Sequence, residues 1–218
     1  MGASTLVPPH GAPELITLLL EGAEKEKELK RAESLPQVPM TSRETSDLIM
    51  LGIGAFTPLE GFMGEADWKG SCQDMKLANG LFWPIPITLS ASQEVADSIQ
   101  DGADVALVDS ETGSIMGTMT VTEKYSIDKS FECQHVFTTT DEEHPGVQKV
   151  MEQEAVNLGG PVKVLSESYY PEMFKDVYQR PAESRKIFAE KGWATIAALQ
   201  LRNPMHRSHE YLAKSRWK

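Results

Sequence analysis

Along the chain, the period of apolar and polar positions changes, and the change divides an early architecture from a late one. In the late part, Ala194 to Leu199 is an unbroken apolar run. That pattern predicts a strand buried on both faces, as inside a parallel sheet. The run ends in a polar turn, Gln200 to Asn203, and Pro204 stops any ladder there because it has no N–H to give. Arg207 to Lys214 are good helix formers, with Tyr211 and Leu212 available to a core. Just upstream, Pro181 to Glu190 predicts a helix with proline in its first turn and Lys191-Gly192 at its end. Helix, glycine, strand, polar turn and helix together make the opening of an α/β nucleotide-binding domain.

The early part has shorter elements. Met1 to Pro13 is a Pro- and Gly-rich arm. Glu21 to Glu33 is nearly all charge, with Glu26 and Lys30 placed as a solvated helix face places them. Thr41 to Met50 predicts a helix capped by Thr41 or Ser42, with Glu44 or Thr45 in its first turn. Leu48, Ile49 and Leu51 give it an apolar face, and Gly52 or Gly54 ends it. Gly54 to Gly64 predicts a tight loop with its aromatics folded inward. Leu81 to Leu89 predicts an edge strand, since Pro84 and Pro86 remove donors from one face. Ser92 to Gln100 predicts a short helix ended by Gly102. Asp104 to Val108 and Ile115 to Tyr125 predict a hairpin, and the broken alternation of Met116, Met119 and Val121 puts a bulge near Gly117. His144-Pro145 opens a helix through Glu154. Val162 to Leu165, after Gly159-Gly160-Pro161, closes the first domain with one more strand, and Ser166 to Arg180 is a connector. Hairpin-joined strands with few helices indicate a small, partly open barrel.

Composition narrows the partners. At 218 residues the chain has room for one large domain or one and a half. Hydrophobic content of 40% and charged content of 24% are those of an ordinary soluble globular protein. A formal net charge of −11 argues against non-specific binding to nucleic acid or an anionic membrane. An anionic ligand must then be drawn by a local basic site. Cys72 and Cys133, far apart, indicate neither a disulfide framework nor a zinc site and fit a reducing cytoplasm. The apolar run Leu15 to Leu20 is too short to span a bilayer and follows no basic leader.

The late turn supplies such a local site. A strand that hands over to a helix N-terminus presents free N–H groups and the positive dipole end to whatever sits there. Here the turn adds the guanidinium of Arg202, the carboxamides of Gln200 and Asn203, and the imidazoles of His206 and His209, with no acid before Glu210. Arg202 offers a planar fork for sulfate or phosphate oxygens. His206 and His209 share one side of the first helical turn. For an isolated His-x-x-His a solvated surface turn is the commoner explanation, and a metal pair lacks a third ligand nearby. The neighbouring arginine and the strand before it favour anion chemistry. Walker A and the dinucleotide fingerprint are absent, so the phosphate grip falls to this turn.

Gln200-Leu201-Arg202-Asn203-Pro204-Met205-His206-Arg207-Ser208-His209-Glu210 resembles the active-site signature of ATP sulfurylases (sulfate adenylyltransferases), in particular the form of dissimilatory sulfate-reducing prokaryotes. Leu201 stands where many of that family have threonine, so only a backbone contact carries over at this position. Leu6 to Gly11, Pro58 to Met63 and His144 to Val147 are similar to further family segments, and the resemblance covers nearly the whole chain. It implies an α+β fold with a PUA-like, partly open β-barrel over residues 1–166. The beginning of an α/β, Rossmann-like nucleotidyltransferase domain follows over residues 167–218. It implies conversion of ATP and sulfate to adenosine 5′-phosphosulfate and pyrophosphate, with Mg²⁺ on the ATP and a homo-oligomer as the full-length enzyme. Sulfate is fully ionised and needs no general base, so positioning and charge stabilisation suffice for in-line attack on the α-phosphorus. The implied roles are sulfate binding by Gln200 and Arg202, a backbone contact at Leu201, support of the α-phosphate region by Asn203, and donation to phosphate oxygens by His206 and His209. Two other classes stand beside this one, another His-x-x-His nucleotidyltransferase and a non-enzymatic PUA-like binding module. The net charge and the lack of a basic, aromatic-studded strand argue against the second. Only one short helix follows the turn, so the chain as written is expected to fold through about Ser166, to fray beyond it and to be inactive alone.

Overall fold

A computed structural model describes residues 6–215, which divide into two compact units. The first runs from Pro8 to Glu183, and the second begins at Ser184 and includes Val7. In chain order the elements are α1 (Gly22–Ala32), β1 (Gln37–Met40), α2 (Ser42–Gly52), β2 (Gly61–Phe62), α3 (Glu65–Asp74), β3 (Leu89–Ala91), α4 (Gln93–Ser98) and β4 (Asp104–Asp109). They continue with β5 (Ile115–Thr120), β6 (Glu123–Ser126), α5 (Lys129–Val136), α6 (Pro145–Met151), β7 (Val156–Val164), α7 (Tyr170–Met173), α8 (Pro181–Glu190) and α9 (Arg207–Ser215). No helix among the described residues is long and apolar enough to cross a membrane.

The first unit is built around β7. The sheet runs β1-β4-β5-β7-β2, with β3 and β6 also paired to β7. β1 lies parallel to β4, and every other pairing is antiparallel. The first half of β7 pairs with β3 and β6, and the second half with β2 and β5. The changeover falls at Gly159-Gly160-Pro161, where a strand was expected to begin only afterwards. Glycine and proline usually punctuate strands. Here the glycines let backbones cross: a Cβ on Gly61 would lie 2.0 Å from the Gly160 carbonyl oxygen. One on Gly160 would lie 2.1 Å from that of Thr120. The expected bulge beside Gly117 is present, since Leu107 pairs with Gly117 but Val108 pairs with Ile115, leaving Met116 extra. The strand expected through Tyr125 breaks after Thr120, because Thr122 turns its N–H and its hydroxyl to the Gly159 carbonyl.

The expected strand from Leu81 to Leu89 is a correction. Only Leu89 reaches a ladder, in β3, and Phe82 makes an isolated bridge to Lys76. Pro84 and Pro86 cannot donate, so pairing starts once the chain has passed them. The helix after His144 stops at Met151 instead of Glu154. The helix over the sheet begins as the pattern says: Thr41 and Glu44 form a reciprocal capping box at the start of α2. Glu44 is buried, and its second oxygen accepts from the N–H and hydroxyl of Ser90, tying α2 to β3. Val38, Leu48, Leu89, Leu107 and Leu158 are fully buried between helix and sheet. Each such side chain stabilises the fold by about 1.5–3 kcal/mol. The connector after Ser166 does not come loose. Glu167 is buried and accepts from Tyr178 Oη and from Nε and Nη2 of Arg180, while Arg180 Nη1 reaches Glu21.

In the second unit, α8 and α9 form where their sequences place them, but Ala194 to Leu199 has no regular structure. An apolar run becomes a strand only when neighbours accept its hydrogen bonds. Here no described strand lies beside it; Ala194 takes one main-chain bond from Val7, and Ile196 and Leu199 stand exposed.

Candidate functional site

The polar turn sits between this extended segment and α9. Proline at 204 ends the run, and the main chain enters the helix at His206, whose carbonyl accepts the first helical bond from Glu210 N–H at 3.1 Å. α9 therefore starts with its free N–H groups facing back along the turn.

His206 and His209 are brought together as their spacing requires. Their ring centroids are 3.8 Å apart, with the planes tilted by 41°. The backbone N–H of His206 points at Nδ1 of His209 at 3.4 Å, so in the neutral ring the hydrogen of His209 resides on Nε2. Ser208 Oγ lies 2.8 Å from Nδ1 of His206. With the hydroxyl donating, that ring too carries its hydrogen on Nε2. Both imidazoles then have one N–H each to offer an external acceptor. Sequence reasoning passed over Ser208; its only signal was a hydroxyl two residues after a histidine.

Arg202, Asn203 and Gln200 are exposed and make no side-chain hydrogen bond or ion pair among the described residues. Leu201 is half-buried. Glu210, the next acid along the sequence, is paired with Lys214 one helical turn on, and the guanidinium of Arg202 has no ion pair among the described residues. The turn thus presents the guanidinium of Arg202, two carboxamides and two imidazole N–H groups, a donor set suited to sulfate or phosphate oxygens. It has no carboxylate cluster for a hard cation, and no group of three or more His, Cys, Asp or Glu among the described residues could hold a metal. His144 does different work: its Nδ1 accepts from the N–H groups of Gly146 and Val147 and caps α6. Cys72 and Cys133 are free and buried.

Two family models match parts of the chain. Residues 7–167 match the family model described as a PUA-like domain, and residues 175–218 match the one described as ATP-sulfurylase. The chain is 67% identical to a sulfate adenylyltransferase of Syntrophobacter fumaroxidans over 97% of its own length and 52% of the relative's. It is 59% identical to one from Psychrobacter sp. over 98% of its length, and 61% identical to one from Chlorobium chlorochromatii over 96%, again 52% of each relative. The chain therefore spans about half the length of the curated relatives it matches. Among solved structures, a hexameric APS kinase from Thiobacillus denitrificans aligns with a TM-score of 0.73 at 29% identity, covering 96% of this chain and 37% of that one.

Proposed function

Since the chain belongs to the PUA-like domain family through residues 7–167 and matches sulfate adenylyltransferases along nearly all of its length, we propose that it forms part of a sulfate adenylyltransferase. The reaction joins sulfate to the α-phosphorus of ATP and releases pyrophosphate. The observation that carries this reading is the donor set at the start of α9, Arg202 with the two imidazoles, in a segment matching the ATP-sulfurylase model. Arg202 and Gln200 hold sulfate, with the backbone at Leu201 beside them, and Asn203 supports the α-phosphate. The Nε2–H groups of His206 and His209 donate to phosphate oxygens as charge moves to the leaving group. No proton has to be taken from sulfate, so the lack of a carboxylate before Glu210 is no obstacle. Mg²⁺, brought with ATP, would supply charge neutralisation; the donors of the turn suit anions, and no step is assigned to a protein-bound cation.

We place the PUA-like domain at residues 1–166 and the catalytic domain from 167 onward. Two free, buried cysteines fit a cytoplasmic enzyme. The hexamer named for the Thiobacillus protein supports a homo-oligomer here too, which light scattering would measure. The function is tested by pyrophosphate release, assayed in this chain and in a polypeptide extended to the length of its relatives. Release in the longer protein that needs both ATP and sulfate is expected. Release with ATP and an unrelated acceptor, unaffected by sulfate, would overturn the assignment in favour of another His-x-x-His nucleotidyltransferase.

A further inference from the structure

Far along the sequence from the turn, the first unit contains a cavity of about 530 Å³. That volume lies within the roughly 300–1,000 Å³ typical of small-molecule sites. It exists because Pro84 and Pro86 hold their segment off the sheet, so that Phe82 and Trp83 stand as walls. These walls are fixed by their own bonds. Trp83 meets Phe56 edge-on at 6.0 Å and 89°, and its Nε1–H donates to the Ile85 carbonyl at 2.8 Å. His10 Nε2 donates to the Phe82 carbonyl at 2.7 Å, which leaves its Nδ1 an acceptor in the neutral ring.

The polar end of the cavity is short of positive charge. Arg43 is the one guanidinium there, and it faces two carboxylates, Asp47 at 2.8 Å and Glu44 at 3.4 Å, as well as the Thr88 carbonyl. One cation between two anions leaves a net negative charge. Glu44 is fully served by Thr41 and Ser90. Asp47 is not: Arg43 reaches Oδ2, and Oδ1 has no partner among the described residues, although the side chain is only 16% exposed. Burial pushes its pKa up to about 6 in spite of the arginine. A carboxylate oxygen that no protein group donates to, open to the cavity beside aromatic faces, is complementary to a cation that carries N–H groups. A neutral apolar guest would leave Oδ1 unpaired, and an anion would be repelled.

We propose that this cavity binds a small organic ammonium ion, with its apolar body against Phe56, Phe82 and Trp83 and its N–H groups on Oδ1 of Asp47. The site stands apart from the adenylyltransferase reading and does not depend on it. The probe is phenethylamine, titrated into the full chain above neutral pH by calorimetry, with phenethyl alcohol and phenylacetate as its neutral and anionic counterparts. Saturable binding of the amine is expected, about tenfold or more tighter than either counterpart. Asp47→Asn weakens the amine by about tenfold and leaves the alcohol unchanged, because only the charge is lost. Should that variant fail to fold, the ranking of the three probes on the parent chain decides alone. Equal affinity for amine and alcohol, or no saturation by the amine, would overturn the proposal. So would a concentration-dependent dimer that Trp83→Leu dissociates, since a second copy would then fill the groove.

Discussion

Arg202 and the two histidines carry different parts of one task under the proposed reaction, and kinetics separates them. An ammonium cannot reproduce the two parallel donors of a guanidinium, so Arg202→Lys in the polypeptide extended to the length of its relatives is expected to lower kcat/KM for sulfate by about a hundredfold. Near-normal turnover in that variant would remove Arg202 from sulfate binding. The histidines donate where charge develops, so His209→Ala should lower kcat by about a hundredfold with little change in the KM for ATP. An unchanged kcat with a raised KM would move His209 to ground-state binding instead. The donor groups of this turn were legible, because a guanidinium, amides and imidazoles without an acid stand together in the sequence. The orientation of the rings was not. It depends on the His206 N–H reaching His209 Nδ1 and on Ser208 beside His206, contacts that exist only once the helix start has formed.

Elements were legible where their signals were local. Thr41 and Glu44 have the spacing of a capping box, and Ser92 caps α4 singly, its hydroxyl accepting from the Val95 N–H. They were illegible where a strand depends on its neighbours. Ala194 to Leu199 has the composition of a buried strand and no ladder to join, while Leu81 to Leu89 has prolines where donors were needed. The opposite failure is β7, which runs through Gly159-Gly160-Pro161 because the barrel needs two backbones to pass there. Gly160→Ala tests that reading against a control. Gly160 has φ +149° with the Thr120 carbonyl in the way, whereas Gly113 has φ +71° with nothing within 4 Å. Gly113→Ala carries only the left-handed penalty of roughly 1–2 kcal/mol. Gly160→Ala should exceed it by several degrees of Tm, since the backbone must also move. Equal melting temperatures would show that the crossing is not tight.

At the scale of the whole molecule, composition gave the sign and size of the net charge but not which carboxylates resist it. Glu28 is held at about 2 against an ordinary 4.5, first by bonds from the Arg31 guanidinium and then by the Thr118 hydroxyl, which outweigh its burial. Asp104 is also lowered, by the Thr120 hydroxyl and by Arg31. Asp47 lies the other way, at about 6 against an ordinary 3.8, because burial outweighs Arg43, and burial likewise raises Glu132 despite the Trp68 indole. Glu28 stabilises the fold fully above its unfolded value and loses that contribution as pH falls toward 2, and Asp104 acts in the same direction. Asp47 contributes fully below about 4 and loses that contribution as pH rises through about 6, and Glu132 acts in the same direction. Stability should therefore peak well on the acid side of neutrality, at about pH 4 to 4.5, and fall from there to about 6 as Asp47 ionises, a direction that net charge −11 reinforces because acid relieves self-repulsion. At about 1.4 kcal/mol per unit, Asp47 costs at most about 3 kcal/mol at neutral pH. Arg31 is 37% exposed, so solvent screening reduces the Glu28 contribution to roughly 1–2 kcal/mol. Urea unfolding across this pH range measures both limbs. Asp47→Asn should flatten the decline above the peak, and Glu28→Gln should flatten the acid limb. A stability that rises steadily from acid to neutral pH in the parent chain would show that Asp47 ionises without cost, and that the cavity beside it is wetter than its walls imply.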